Sequence, residues 1–510
     1  MSQQLPPEIV LEILEFISEN DPLYKATILS ITRVFPNVPA NSLLFRNIVL
    51  EHADQVAQLT RRFLRPDWRD VVKYVKEFTW NAWMVDAELI VNLLDKLRSL
   101  RVLHISIGTT FEPEHLQEIF KSPRPDLLYL SLRFRPYVQK ANYLPFLKGS
   151  YFDDTFTCIS KWPQSGLPTI SIIQDALDTS LPVPTPAPSA FSFRITTPNF
   201  AQPIVFHSLN TTLTSFAHSP LLTTCTALRL RIPSRPVAPP LTLLSSSTSA
   251  LALPSLTLLD LSTCSVFGAE LTDTLLARLP RLRHVILDNG ALLRGEYHAD
   301  DWAVFGKGCA LSGVKRARER ERQLKQARVA AESKPRAQAQ SQAQAAAPRA
   351  ARPGRKGVST ANISLRPSRD EATSSGPTVN PIAPVNLGQK IRIYPAAPSL
   401  ITFATTLAPS IPASKHEEIR EHFARGWDEG LAQLVQLRSR LYQSYRLGSV
   451  TVMRFAELDD EPLGGLVEVD NWDDNVETLN PPVLCFAGAN KDAEHEAGCA
   501  HSEGWKVWRD

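Results

Sequence analysis

Two cysteines and two histidines near the C-terminal end of the chain are of the types that bind metal ions. Thiolate and imidazole groups are the usual protein ligands of zinc. Their spacing matches none of the paired patterns of zinc fingers, and the residues around them are mainly Gly, Ala and acidic residues. We therefore predict neither a metal site nor a cofactor. The four residues are Cys485, His495, Cys499 and His501.

Motifs of catalysis are missing from the sequence. It contains no Gly-rich loop that would cradle a phosphate, no nucleophile elbow and no helix with a metal-ligand motif. Carboxylates and histidines occur at ordinary density, without a paired arrangement. We therefore predict a protein that is not an enzyme and that acts through binding.

A basic, low-complexity stretch at residues 315–356 offers a different chemistry. Its lysines and arginines could contact the phosphates of nucleic acid or act as a nuclear-import signal. The stretch lacks interleaved aromatic residues, so base stacking is not supported. A solvated linker explains the composition more simply, and the sequence does not favour nucleic acid as a partner. A nuclear nucleic-acid-associated protein remains one alternative.

Composition and charge are typical of an intracellular globular protein. The 510 residues exceed one typical domain, 43% of them are hydrophobic, and the net charge of +3 is nearly neutral. The six cysteines are scattered, which is not a disulfide framework. No signal peptide and no run of about 18 apolar residues is present. These features predict a cytoplasmic and/or nuclear protein without a membrane partner.

A pattern of apolar residues spaced three and then two positions apart repeats along the chain. The copies start 25 and 27 residues apart in one group (75, 100, 127) and 31 and 26 apart in a second (225, 256, 282). One strand and one helix cannot bury their shared apolar face alone, so such units stack into a solenoid. The spacing is close to the roughly 20 to 29 residues of leucine-rich repeats, which the chain resembles. The copies begin at Val75, Leu100, Leu127, Cys225, Leu256 and Leu282.

Polar residues alternate with apolar ones along these predicted strands. Successive side chains of a strand point to opposite faces of a sheet, so the polar set is expected on the exposed face. The strand face is the usual binding surface of a curved repeat array. We therefore predict that five of these residues bind a protein substrate, and that the two nearby arginines of one strand favour an acidic one. The five are Arg133, Arg229, Arg231, Asp260 and His284.

An amphipathic helix is predicted for residues 5–17, at the opposite end of the chain. Pro6 and Pro7 can open a helix, because its first turn does not use their missing N–H groups. The apolar arc around this helix covers about 200°, which is wider than the stripe of an ordinary surface helix. One apolar side can pack on the residues that follow and the other on a second protein. The alternative is a helix buried on all sides by its own domain.

Residues 5–14, Leu-Pro-Pro-Glu-Ile-Val-Leu-Glu-Ile-Leu, resemble the first helix of an F-box, and residues 43–50 resemble the segment that closes the fungal F-box-like module. The Cys-Arg-x-Trp-like stretch of such families is replaced here by residues 30–35, without the Cys and the Trp. The resemblance implies a substrate-recognition subunit that binds a Skp-type adaptor and, through it, a cullin–RING ubiquitin ligase. The adaptor contact would be formed by Leu5, Pro6, Ile9, Ile13 and Leu14.

The predicted fold is therefore an α+β or α/β solenoid with a small N-terminal helical module. The main alternative function is a repeat scaffold without a ligase role. We divide the chain into an F-box-like module (1–50), a leucine-rich-repeat-like domain (51–313), a disordered basic insertion (314–388), closing strand–helix–strand elements (389–456) and an acidic, mostly disordered tail (457–510).

Overall fold

A computed structural model shows an α/β protein built on one large parallel sheet. Short helices precede this sheet, and further helices connect its strands. The structure describes residues 6–17, 23–35, 40–68, 70–82, 86–108, 111–134, 137–138, 150–163, 166–175, 202–203, 209–242, 252–289, 299–346, 390–456, 465–469, 472 and 478–509.

The ten strands of the main sheet are hydrogen-bonded to one another in the order in which they occur in the chain. Every neighbouring pair is parallel, as expected when a helix or loop returns the chain to the same edge after each strand. The six strands predicted from the repeated pattern are all present. The strands are β1 Asn47–Leu50, β2 Glu77–Trp80, β3 Val102–Ile107, β4 Tyr129–Phe134, β5 Thr169–Gln174, β6 Ala227–Arg231, β7 Leu258–Asp260, β8 His284–Leu287, β9 Thr402–Thr405 and β10 Val483–Cys485.

Three helices, α1 Pro7–Glu15, α2 Tyr24–Val34 and α3 Asn41–Leu44, form a small N-terminal module. It has its own apolar core, to which each helix contributes, with Leu14 and Ile28 fully buried. The chain then enters β1, which pairs with β2 and is the first strand of the main sheet. The predicted module boundary at residue 50 therefore includes a strand that belongs to the sheet.

Most of the other helices pack on one face of the sheet and form its main core with the inward-facing strand residues. Stacking of these strand–helix units gives a solenoid-like architecture. The helices that follow the N-terminal module, on both faces of the sheet, are α4 Ala53–Phe63, α5 Ala87–Lys96, α6 Pro113–Lys121, α7 Ser150–Ser160, α8 Leu209–Ala217, α9 Ala238–Thr242, α10 (Gly268–Glu270, the π-helical turn Leu271–Leu275 and Leu276–Arg278), α11 Ala299–Ala310, α12 Ser312–Ala346, α13 His416–Arg446 and α14 Ala500–Val507. Short 3-10 turns lie at Pro66–Trp68, Val71–Tyr74, Pro220–Thr224 and Ala413–Lys415.

The predicted disorder from residue 314 onward is wrong for the first part of α12. Val314 and Ala317 are buried against the domain. Glu319 pairs with Arg278 at 2.8 Å, and Glu321 pairs with Arg392 at 2.7 Å. The charged composition of this segment therefore does not prevent it from packing on the domain. The remainder of the predicted insertion, residues 347–388, lies outside the described residues.

The predicted closing elements 389–456 divide between two sheets. Strand β9 continues the main sheet, next to β8. Lys390–Ile393 and Val450–Phe455 instead pair in a separate three-stranded sheet with Leu466–Glu468. The two predicted strands therefore exist, but they do not extend the solenoid as we expected.

The predicted disorder of the C-terminal tail is wrong for residues 478–509. Strand β10 joins the edge of the main sheet, and α14 then crosses the face that the other helices leave uncovered. Ala500 and Trp508 pack there in a second apolar core with strand residues such as Tyr129 and Ile286. Burial of these apolar groups orders a segment whose acidic composition predicted mobility.

Candidate interaction surfaces

The strand face opposite the connecting helices carries a continuous row of polar residues. The strand register places Ser131, Ser171, Arg229 and Asp260 side by side on four neighbouring strands, β4 to β7. The Arg229 guanidinium donates to the Ser171 hydroxyl at 2.8 Å. The predicted alternation of polar and apolar side chains along these strands is thus correct.

Arg229 and Asp260 are nevertheless not exposed, contrary to our expectation from the sequence. Arg229 is only 2% exposed and Asp260 is fully buried. The ring of Trp508 lies 4.6 Å from the Arg229 guanidinium, in a cation–π contact. Asp260 accepts a hydrogen bond from the Arg231 guanidinium at 2.7 Å and one from the backbone N–H of Ser262. Arg229 and Asp260 are buried because the C-terminal segment covers this part of the sheet. They can therefore position the residues above them but cannot contact a partner.

His284, the last of the predicted substrate-binding residues in the sequence, is half-buried. Its Nδ1 atom is 2.9 Å from the Thr402 hydroxyl on the next strand. Burial lowers the pKa of His284 from its usual value, so its imidazole is neutral at pH 7. His284 therefore adds no positive charge to the strand face under physiological conditions.

An open groove of about 420 Å³ lies on the strand face, beside the C-terminal segment. Three arginines and one aspartate are the charged residues that line it: Arg133, Arg231, Arg509 and Asp175. Arg133 pairs with Asp175 at 2.8 Å and keeps half of its side chain exposed. Its guanidinium therefore retains donors for a carboxylate of a partner. Each arginine of the groove is paired with a carboxylate, that of Asp175, Asp260 or Glu77, so the groove is close to neutral and offers guanidinium groups to an acidic ligand.

Arg509 is a residue of this groove that sequence reasoning missed. Its guanidinium pairs with Glu77 at 2.9 Å, and its backbone N–H donates to the Tyr129 hydroxyl. It reaches the groove because Trp508 is anchored over Arg229. Two of the three tryptophans of the tail, Trp505 and Trp508, are the sequence signal that could have indicated an ordered segment, since large aromatic residues are rare in disordered ones.

The N-terminal helix α1 has one buried and one exposed apolar side. Val10 and Leu14 are buried in the core of the module. Ile9 and Ile13, one helical turn apart, are 43% and 50% exposed, and Phe16 on the same side is 84% exposed. The predicted adaptor contact is therefore wrong for Leu14, whose side chain has no access to a partner. Pro6 is exposed, and Leu5 lies outside the described residues.

No family model matches the chain, and no curated protein matches it. Within the described ranges, no helix combines the length and the apolar composition needed to cross a lipid bilayer.

Proposed function

We propose that this protein is a substrate-recognition subunit of a Skp–cullin–F-box type ubiquitin ligase, located in the cytoplasm and/or the nucleus. In this proposal the N-terminal module is an F-box-like adaptor-binding module, and the strand–helix units are irregular leucine-rich repeats that select the substrate. Such a subunit catalyses no reaction itself. It raises the effective concentration of its target near the ligase.

The observation that carries the proposal is the apolar side that α1 leaves exposed. Ile9, Ile13 and Phe16 recur at helical spacing and face away from the core of their own module. Exposed apolar surface of this kind is typical of a protein–protein contact. The same helix carries the Leu-Pro-Pro-Glu-Ile start through which the sequence resembles an F-box.

The arginine-lined groove on the strand face supports the second half of the proposal. It lies on the face that solenoid proteins use for partners, and its arginines point to an acidic substrate. Arg133, Arg231 and His284 remain candidates for substrate contacts, because each keeps part of its surface accessible. Arg229 and Asp260 are better assigned to supporting the groove.

A titration of the purified full chain with a purified Skp-type adaptor tests the proposal. We expect saturable binding with one adaptor per chain, measured by isothermal titration calorimetry. The control is the chain in which Val304 and Leu447, two exposed apolar residues outside the module, are replaced by alanine. This variant should bind as the wild type does. Absence of binding by the folded wild-type chain would favour the scaffold alternative.

A charge reversal in the groove should weaken the capture of acidic partners. We would replace Arg133 and Arg509 by glutamate and leave Arg231 in place, because Arg231 neutralises the buried Asp260. At about 1 kcal/mol for each exposed charge, partner recovery should fall at least about tenfold. Quantitative mass spectrometry of proteins that copurify with the tagged chain provides the measurement.

Arg98→Glu is the matched control for this reversal. Arg98 is an exposed arginine that pairs with Asp95 and does not line the groove. Its substitution should leave partner recovery unchanged. If the groove variant recovered every partner at the wild-type level, the recognition surface would lie elsewhere on the molecule.

A further inference from the structure

Four side chains whose spacing in the sequence matches no zinc-finger pattern lie close together in the fold. One ligand atom from each of Cys485, His495, Cys499 and His501 lies within 4.8 Å of all the others. Cys485 ends strand β10, His495 lies in the following loop, and Cys499 and His501 are at the start of α14. The sequence-based expectation of no metal site rested on the spacing of these residues and on their Gly, Ala and acidic surroundings, whereas a strand, a loop and a helix assemble this group through the tertiary fold.

Two of the distances within this group match a tetrahedral metal site. The Nδ1 atom of His495 is 3.4 Å from the Cys485 sulfur and 3.8 Å from the Cys499 sulfur. Zinc bound at about 2.3 Å from sulfur and about 2.0–2.1 Å from nitrogen, with tetrahedral angles, places those atoms about 3.6 Å apart. Both distances lie within about 0.2 Å of that value.

Hydrogen bonds orient both imidazoles towards the centre of the group. The Nε2 atom of His495 lies 2.8 Å from the backbone carbonyl oxygen of Asn490, which can only accept, so Nε2 carries the proton. The Nε2 atom of His501 lies 2.8 Å from a carboxylate oxygen of Asp288. In both rings the Nδ1 lone pair is thereby available as a ligand. Such partners behind a metal-binding histidine fix its tautomer and raise its basicity.

The Nδ1 atom of His501 gives an independent indication that a ligand belongs here. The His501 side chain is 97% buried, since its exposed fraction is 3%. Among the described residues its Nδ1 atom has no nitrogen or oxygen hydrogen-bond partner, and the side chain that interacts with His501 on the side of the group is the Cys485 thiol. A buried imidazole nitrogen without such a partner costs free energy that a bound ion would recover.

We propose that these four residues bind one zinc ion in a closed Cys₂His₂ site. Two thiolates and two imidazoles at tetrahedral spacing are a donor set that suits zinc better than magnesium or calcium, which prefer oxygen ligands. Cys485, Cys499 and His501 are buried and His495 is half-buried, so the site leaves no open position for a reacting water. The role is structural.

The position of the site shows what a zinc ion would hold in place. It joins the end of β10 to the start of α14 and, through Asp288, to the residues that follow β8. Helix α14 leads directly to Trp508 and Arg509, which cover Arg229 and line the groove. Zinc would therefore fix the C-terminal segment on the strand face and shape the predicted substrate groove, whether or not the N-terminal module binds an adaptor.

Metal analysis of the purified full chain tests this assignment. We expect about one zinc ion per chain by inductively coupled plasma mass spectrometry. Cobalt(II) added to chelator-treated protein should give a thiolate-to-cobalt charge-transfer band and the visible absorption of a tetrahedral site. Removing the zinc with a strong chelator should lower the melting temperature, and adding zinc back should restore it.

Three variants locate the site. Cys485→Ser with Cys499→Ser should retain less than about a tenth of the zinc, and Cys158→Ser, a half-buried cysteine outside the group, should retain all of it. Asp288→Asn keeps all four ligands and should weaken zinc binding by about 10–100-fold, because it weakens the hydrogen bond that orients the His501 imidazole.

Two results would overturn the proposal. One is wild-type protein that binds neither zinc nor cobalt when it is reduced and folded. The other is an isolated chain in which Cys485 and Cys499 form a disulfide and no metal is present. Because these measurements use the wild-type chain, they decide the question even if the double serine variant fails to fold. Adaptor binding is measured separately, so failure of either proposal is recognised on its own.

Discussion

Replacing Ile9 and Ile13 together by alanine should weaken binding of the Skp-type adaptor by at least about thirtyfold. Both side chains lie on the exposed apolar side of α1, where they can be buried only by a partner. Truncating a central anchor of an interface costs about 2 kcal/mol or more. At 1.4 kcal/mol per decade, that cost corresponds to about thirtyfold in the dissociation constant. Calorimetric titration of the variant with the adaptor measures it directly.

Leu14→Ala is the informative counterpart of this double variant. Leu14 is fully buried within the module, so its truncation should destabilise the module by about 2–5 kcal/mol instead of removing a contact. Circular dichroism should show wild-type melting for the Ile9/Ile13 variant and a lower melting temperature for Leu14→Ala. A folded Ile9/Ile13 variant that binds the adaptor at wild-type strength would exclude α1 as the adaptor contact.

The substitution Gly426→Ala should destabilise the end of the solenoid. A Cβ atom at Gly426 would overlap the backbone carbonyl oxygen of Ala303, and one at Gly306 would overlap that of Phe423. Helices α11 and α13 thus approach each other backbone to backbone at these glycines. Separating them would loosen the aromatic contact of Phe305 with Phe423, whose ring centroids are 5.7 Å apart.

The sign of this effect separates packing from helix propensity. Alanine is favoured over glycine by about 1 kcal/mol within a helix, whereas overpacking typically costs about 1–3 kcal/mol and occasionally more. Since the overlap is with backbone, which cannot turn away, we expect the upper end of the overpacking cost and a net loss of about 2 kcal/mol in the free energy of unfolding. Urea titration followed by circular dichroism measures it.

Gly166→Ala provides the control for the glycine substitution. Gly166 lies in a loop, and a Cβ atom there would meet no atom within 4 Å. Its replacement should leave stability unchanged or raise it by about 0.4–1 kcal/mol through the unfolded state. If Gly426→Ala were as stable as the wild type, the close approach of α11 and α13 would be incorrect.

The repeated apolar pattern predicted strands well because it reports burial directly. Leu103 and Ile105 of β3, for example, are fully buried in the core that the pattern anticipates. Strand β5 was not identified although Leu167, Ile170 and Ile172 carry the same pattern, because this copy starts 40 residues after Leu127 and 58 before Cys225, far from the period of the other copies. Strand β10 was missed because its three residues are too short to show a period.

The interaction surfaces were predicted less completely, because burial there depends on distant parts of the chain. The helical wheel of α1 showed two apolar sides, but only the tertiary packing of Tyr24 and Ile28 determines that Leu14 is buried and Ile13 is not. Arg229 looked exposed because the segment that covers it follows almost 280 residues later, as the difference between positions 229 and 508 shows. No local pattern contains that information.

Affinity purification of the tagged full chain, followed by mass spectrometry, tests the proposed ligase role most directly. We expect a Skp-type adaptor and a cullin among the recovered proteins, and their loss from the Ile9/Ile13 double alanine variant, with other partners retained through the strand face. Recovery of other proteins alone, from wild type and variant equally, would contradict the ligase role and identify a repeat scaffold. Partners that disappear on nuclease treatment would instead identify a nucleic-acid-associated protein.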